Sequence, residues 1–240
     1  MCGRVPGLLR EGLTEAAFAG RVEAEARALG HEGIIRMRGF NQEMFYGQLL
    51  TGASGAVASF LDTPLAGSGL SPAIAQGVSF RPIGRHEPVV FDFVAVRHGY
   101  ITDFTRIFSL GPLPAELRCA YGVALAAQAA VLEVARPGAI CRTVFEAAAA
   151  VAADAGLGAN FMGHGPEQVR FVGHGVGLEP DELPVPAAND TVPDVGMVFA
   201  LEPKFVLPGL GAVGVENTWH VGPDRLERLT LSSEELRELP

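Results

Sequence analysis

The sequence predicts an α+β domain, and three observations predict it. One strand pair, Val89 to Phe108, folds about Arg97-His98-Gly99 and carries an acid on each arm, Asp92 and Asp103. A second pair, Gly196 to Val221, folds about Pro208-Gly209 and does the same with Glu202 and Glu216. Between them lie two alanine-rich helical stretches, from about Pro114 to Ala135 and from Cys141 to Ala155. Antiparallel hairpins with helices between them fit helices laid on the face of a sheet.

Each element has a local reason. Thr14 to Leu29 reads as an amphipathic helix, with Phe18, Val22, Ala26 and Leu29 on one stripe and Glu15, Arg21, Glu23 and Arg27 elsewhere. Thr14 caps its start and Gly30 ends it. Ile34, Ile35 and Met37 suggest a strand, and residues 51–80 read as loop with brief strands because Gly, Ser, Pro and Ala dominate. Alanine favours both central helices, and Pro137-Gly138 stops the first while Gly156 closes the second. The tail from Ser232 reads as a polar helix.

Composition narrows the function. The 240 residues suit a single domain, 1–240, and 48% are hydrophobic, enough for a packed core. The net charge of −9 and the lack of a Lys/Arg block argue against a nucleic-acid partner. Cys2, Cys119 and Cys141 are isolated, which suits free thiols in a reducing compartment. Neither a signal-peptide pattern nor an apolar run of about 18 residues is read. The expectation is a soluble cytoplasmic protein with no membrane partner.

The acids carry the chemistry. Side chains directly opposite on paired strands lie about 4.5–5.5 Å apart at Cβ, and like charges there repel. Two such pairs suggest four carboxylates gathered about something strongly positive. An imidazole shifts an oxygen-rich site toward transition metals. His174 supplies one from Gly173-His174-Gly175-Val176-Gly177, where glycines allow close backbone approach. Asp92, Asp103, His174, Glu202 and Glu216 form a five-ligand set with room for two divalent cations.

Four stretches, in order, carry a resemblance: Phe91-Asp92 … Gly99-Tyr100-x-x-Asp103-x-Thr105-Arg106; Gly173-His174-Gly175-x-Gly177; Gly196-Met197-Val198-Phe199-Ala200-Leu201-Glu202-Pro203; and Gly214-Val215-Glu216-Asn217-Thr218. Together they resemble the pita-bread metallopeptidases: methionine aminopeptidase, prolidase, aminopeptidase P and creatinase. The details are closer to prolidase and aminopeptidase P. The resemblance covers residues 11–225. It implies a pita-bread fold of two pseudo-symmetric halves. It also implies that the chain lacks the first helix and the N-terminal domain of longer relatives.

By the resemblance, Asp92 chelates one metal, His174 and Glu202 hold the other, and Asp103 and Glu216 bridge both. The metals are manganese, cobalt, zinc or iron. A metal-bound hydroxide attacks an amide carbonyl, with Glu202 as proton carrier and His174 beside it. The implied enzyme is an Xaa-Pro aminopeptidase or dipeptidase acting on a small peptide. Two alternatives are a creatinase-like enzyme for a small non-peptide substrate and a non-catalytic binding module. Relatives often form homodimers, which leaves that state open here.

The chain departs from the family at the substrate side. Relatives carry a histidine well before the first aspartate; Ser71-Pro72-Ala73-Ile74-Ala75-Gln76 has none. A second histidine usual after the ligand histidine is replaced by Asp181. Asp181 and His164 are the candidates left for substrate contact. Arg106 is a candidate to orient Asp103 or to pair with a surface acid, and Asn41 and Gln42 are candidates for a site wall.

Overall fold

A computed structural model of the chain describes residues 1–39, 42, 44–58, 63–136 and 138–240. The expectations for Asn41 and Pro137 fall outside these residues.

The chain opens with α1 (Val5–Leu8) and α2 (Glu15–Ala28). Thr14 caps α2 by accepting the Ala17 N–H at 3.2 Å, and Gly30 follows it at φ 98°. One part of the α2 reading is corrected. Glu15 is not on the solvent face but fully buried, because its carboxylate accepts bonds from Thr51, Ser54 and Ser79. The strand expected at residues 34–37 does not form. Ile34 is 66% exposed, and the backbone bond from Glu32 N–H to Val96 O at 3.2 Å is not continued as a ladder along this stretch.

The first hairpin is β2 (Val89–Arg97) and β3 (Tyr100–Leu110), with the short β1 (Leu49–Thr51) on the outer edge of β2. His98 (φ 54°) and Gly99 (φ 78°) form its turn. Two successive positive φ values match the right-handed twist of a tight hairpin. Alternation along β2 sends side chains to two cores. Val90 joins α3 (Ala115–Val134) and α4 (Cys141–Asp154), while Val89, Phe91 and Phe93 join α1 and α2. Helices therefore cover both faces of this sheet.

The helices α3 and α4 pack closely because their contact faces are small. Ala120, Ala124 and Ala127 on α3, and Ala148 and Ala152 on α4, are wholly buried. The helix α3 is long and apolar enough, at mean hydropathy 1.3, to cross a membrane, contrary to the expectation that no run would qualify. Its buried stripe instead belongs to the main core.

The second half contains β4 (Gly173–Gly175), β5 (Val198–Leu201), β6 (Lys204–Leu207), β7 (Gly211–Gly214), β8 (Asn217–Val221) and β9 (Leu226–Arg228). One sheet runs β4-β5-β8-β9 and a separate ladder joins β6 to β7. The tail is not helical. Residues Arg237–Leu239 form β10, paired parallel to β3, and the only parallel pairing among the described strands. Hydrogen bonds from Arg106 to the Ser232 and Ser233 carbonyls hold this tail extended.

Candidate metal centre

The first hairpin sets two acids on one face but not opposite each other. Asp92 faces Thr105 and Asp103 faces Val94, so the acids are diagonal neighbours. Such a diagonal spans about 7–8 Å, wide enough to straddle a cation. In the second hairpin the ladders Leu201↔Asn217 and Lys204↔Gly214 share one register. Glu202 and Glu216 face each other at the break between them. Thr105 and Glu216 join the hairpins through reciprocal backbone bonds of 3.4 and 3.3 Å. The Thr105 hydroxyl also donates to Glu216 Oε2 at 2.7 Å.

His174 arrives from β4, opposite Ala200. A Cβ on Gly173 would overlap the Ala200 carbonyl, and one on Gly175 would overlap the Glu182 carbonyl. The glycines thus let β4 lie between two neighbouring backbones, which carries the imidazole inward. Its Nε2 is 3.7 Å from Glu202 Oε1, 3.7 Å from Glu216 Oε1 and 3.9 Å from Asp103 Oδ2. Ligand atoms each about 2.1 Å from one ion lie at most about 4.2 Å apart, so these separations suit a shared cation. Asp103, His174 and Glu216 form the group whose ligand atoms all converge. Asp103 Oδ1, His174 Nδ1 and Glu216 Oε1 are buried without a hydrogen-bond partner. Buried polar atoms without partners are uncommon, and each calls for an explanation, a bound ion or water being one.

A residue missed by the sequence reading completes the cluster. Lys204 is 3% exposed and points its Nζ at Glu202 Oε2 (2.6 Å), Asp92 Oδ2 (2.8 Å) and Glu216 Oε2 (3.0 Å). Three carboxylates take up the three ammonium donors. The available signal was its place two residues beyond Glu202, since alternate residues of an extended chain share a side.

The field inside the cluster is strong. Burial pushes Asp92 up to about 7 even though the Lys204 charge pulls it down. Burial, with repulsion from Glu216 and Asp92, raises Asp103 well above the carboxylate range. Burial disfavours a charged His174, yet Glu216, Glu202 and Asp103 raise it to about 10. Burial also works against the charge on Glu216, but Lys204 and His174 hold it at about 2. Burial opposes the Lys204 ammonium too, and its three carboxylates outweigh that and raise it well above its usual range.

The other candidates stand apart. Asp181 accepts the Arg38 N–H at 3.0 and 3.1 Å, and neither it nor the exposed His164 forms a hydrogen bond or ion pair with the five residues. Gln42 is exposed. Arg106 orients no carboxylate and pairs with no surface acid. Its partners are neutral oxygens: Thr105 O, Glu216 O, Asn217 Oδ1, Ser232 O and Ser233 O.

Known proteins share this architecture. The chain is 32% identical to an Xaa-Pro dipeptidase of Lactobacillus delbrueckii subsp. lactis, over 69% of this chain and 43% of that protein. It is 34% identical to an Xaa-Pro dipeptidase of Pyrococcus furiosus, over 76% and 51%. It therefore spans about half the length of the curated relatives it matches. Among solved structures, the dipeptidase PepE of Mycobacterium ulcerans superposes with TM-score 0.80 at 28% identity, over 100% of this chain and 56% of that one. The prolidase of Pyrococcus horikoshii gives 0.77 at 27%, over 98% and 58%. An X-Pro aminopeptidase of Thermotoga maritima gives 0.81 at 24%, over 99% and 59%, a likeness of fold alone. These neighbours have the pita-bread fold, and so has this chain. The sequence pattern of one family matches residues 1–223, and by it the chain belongs to metallopeptidase family M24.

Proposed function

We propose that this chain is a metal-dependent hydrolase that cleaves the amide bond of a small peptide with proline in the second position. The observation that carries the reading is the convergence of Asp103, His174 and Glu216, with Asp103 Oδ1 and Glu216 Oε1 buried and unpartnered. Asp103, His174 and Glu216 would hold a divalent cation, manganese or cobalt being suitable for such an oxygen-rich shell with one imidazole. When bound, the cation acidifies water and polarises the scissile carbonyl.

The chain's own residues do the rest. Glu202 Oε2 is tied to Lys204 at 2.6 Å, which fixes the carboxylate and leaves Oε1 to receive a proton and pass it to the leaving proline nitrogen. The Thr105 hydroxyl holds Glu216 Oε2 and so sets the direction of Oε1. His174 keeps its place because β4 is pinned between Ala200 and Glu182. The free thiols of Cys2, Cys119 and Cys141 support a reducing, cytoplasmic setting.

The test is hydrolysis of Xaa-Pro dipeptides and short Xaa-Pro peptides with added Mn²⁺ or Co²⁺, against Asp103→Ala. Metal-stimulated turnover in the wild type and at least a hundredfold less in the variant is expected. No metal-stimulated turnover on any peptide removes the peptidase reading. A second reading, a small non-peptide substrate, is favoured by Asp181, whose carboxylate is engaged by the Arg38 backbone at the position where peptidases of the fold carry a histidine. A panel of small amides and amidines separates the two.

A further inference from the structure

We propose that the Lys204 ammonium permanently takes one of the two cation positions of this centre, so that the chain holds a single divalent ion where a dinuclear site is expected. The inference rests on the metal-site reading above for the remaining position and departs from the expectation of two ions.

Three features of the structure carry it. The ammonium already occupies the point where Asp92, Glu202 and Glu216 meet, at 2.8, 2.6 and 3.0 Å. A divalent ion bound by the same oxygens would sit about 2.0–2.6 Å from each, and so on top of Nζ. The lysine is also seated rather than draped over the site. Its ladder partner is Gly214, where an added Cβ would come within 2.6 Å of Lys204 Cγ. The stem lies in the space that a side chain at 214 would fill, and at 3% exposure it has no open route to solvent. Finally, the oxygens divide into two sets. Asp92 Oδ2, Glu202 Oε2 and Glu216 Oε2 face the ammonium. Glu202 Oε1, Glu216 Oε1 and Asp103 Oδ2 face His174. The ammonium satisfies the first set, while in the second Glu216 Oε1 is buried without a hydrogen-bond partner.

The consequence is an asymmetric centre. The position shared by Asp103, His174 and Glu216 exchanges its ion, and the Asp92 position carries a fixed single charge. Asp92 then binds no metal, and Glu216 bridges an ammonium and an ion rather than two ions.

The test counts metal by elemental analysis and by calorimetric titration with Mn²⁺ and Co²⁺, on the wild type, Lys204→Ala and Lys204→Met. The expected result is one ion per chain in the wild type and two in Lys204→Ala. Lys204→Met keeps the stem on Gly214 and loses the charge. It should show a lower Tm in EDTA, restored by Mn²⁺ to a larger extent than in the wild type. Two ions in the wild type, or equal counts in wild type and both variants, overturn the inference. Zero in the wild type and one in Lys204→Ala upholds the ammonium's place and overturns the metallohydrolase reading instead. Zero throughout overturns both. If neither variant folds, anomalous diffraction from wild-type crystals grown in Mn²⁺ decides. A peak between Asp103, His174 and Glu216 alone supports the assignment, and a peak at Asp92 overturns it.

Discussion

Replacing Arg106 with methionine should destabilise the fold by about 1.5–3 kcal/mol, the usual worth of buried hydrogen bonds that involve a charged donor. The guanidinium is 2% exposed and donates to Thr105 O, Glu216 O and Asn217 Oδ1 at 2.7 Å, to Ser233 O at 2.7 Å and to Ser232 O at 3.0 Å. Asn217 Oδ1 would be left buried, and an orphaned acceptor of that kind costs roughly 1–3 kcal/mol. Thr105 O and Glu216 O keep only their long bonds of 3.3 and 3.4 Å to each other's backbone. The Ser232 and Ser233 carbonyls can turn to water, so their share is small. Part of the loss is offset because a charge no longer has to be buried; burial already disfavours the Arg106 cation. Against a total stability of roughly 5–15 kcal/mol, the net effect is large. Urea unfolding measures it, with the midpoint falling and the slope unchanged. Limited proteolysis gives a second readout, since the tail through β10 should become cleavable before the rest. Arg106→Lys should recover less than half of the loss, because a point charge cannot reproduce the planar fork. A loss below about 1 kcal/mol, or full rescue by lysine, would falsify the reasoning.

Other outcomes follow from the same geometry. Gly173→Ala places a methyl against the Ala200 carbonyl, so β4 must shift. A cost of about 1–3 kcal/mol and at least tenfold weaker Mn²⁺ binding are expected, and unchanged binding by titration calorimetry would argue against β4 as the element that sets His174. His31 is held neutral: its Nε2 lies 3.0 Å from Val94 O and its Nδ1 accepts the Gly33 N–H at 2.9 Å. Burial lowers its pKa from 6.5. Protonation therefore favours the unfolded chain, and this residue's contribution is whole above pH 6.5 and shrinks as pH falls below it. The stability gap between wild type and His31→Gln should be smaller at pH 5.5 than at 7.5, and a constant gap would contradict the assignment.

The hairpins, the central helices and the five convergent residues were legible because each leaves a local mark. Turn glycines, period-2 apolar runs and acids at fixed offsets survive in a single sequence. What was not legible depended on partners distant in the chain. Glu15 looks like a surface residue on a helical wheel, and only the fold brings Thr51, Ser54 and Ser79 around it. The tail is polar enough for a helix, yet Arg106 holds its carbonyls and β3 offers it an edge. The diagonal offset of Asp92 and Asp103 was hidden for another reason. Register depends on the turn, and placing His98 and Gly99 alone at the bend puts Asp92 opposite Thr105.

Lys204 shows how one residue changes the meaning of its neighbours. Asp92, Asp103, Glu202 and Glu216, all buried, would repel one another strongly in a medium far less polar than water. A fold that gathers them needs positive charge at the same place. In a centre that takes all of it from ions, stability and metal content are coupled, because the ions offset the repulsion that folding creates. Here the chain supplies part of that charge from β6, one peptide unit beyond Glu202-Pro203. The ammonium is synthesised with the carboxylates and cannot be chelated away. On the proposed assignment the architecture of the centre would persist without full metal loading, while the position next to His174 would still depend on an ion. Under that proposal, structural cohesion and chemical competence would belong to different cations at one site.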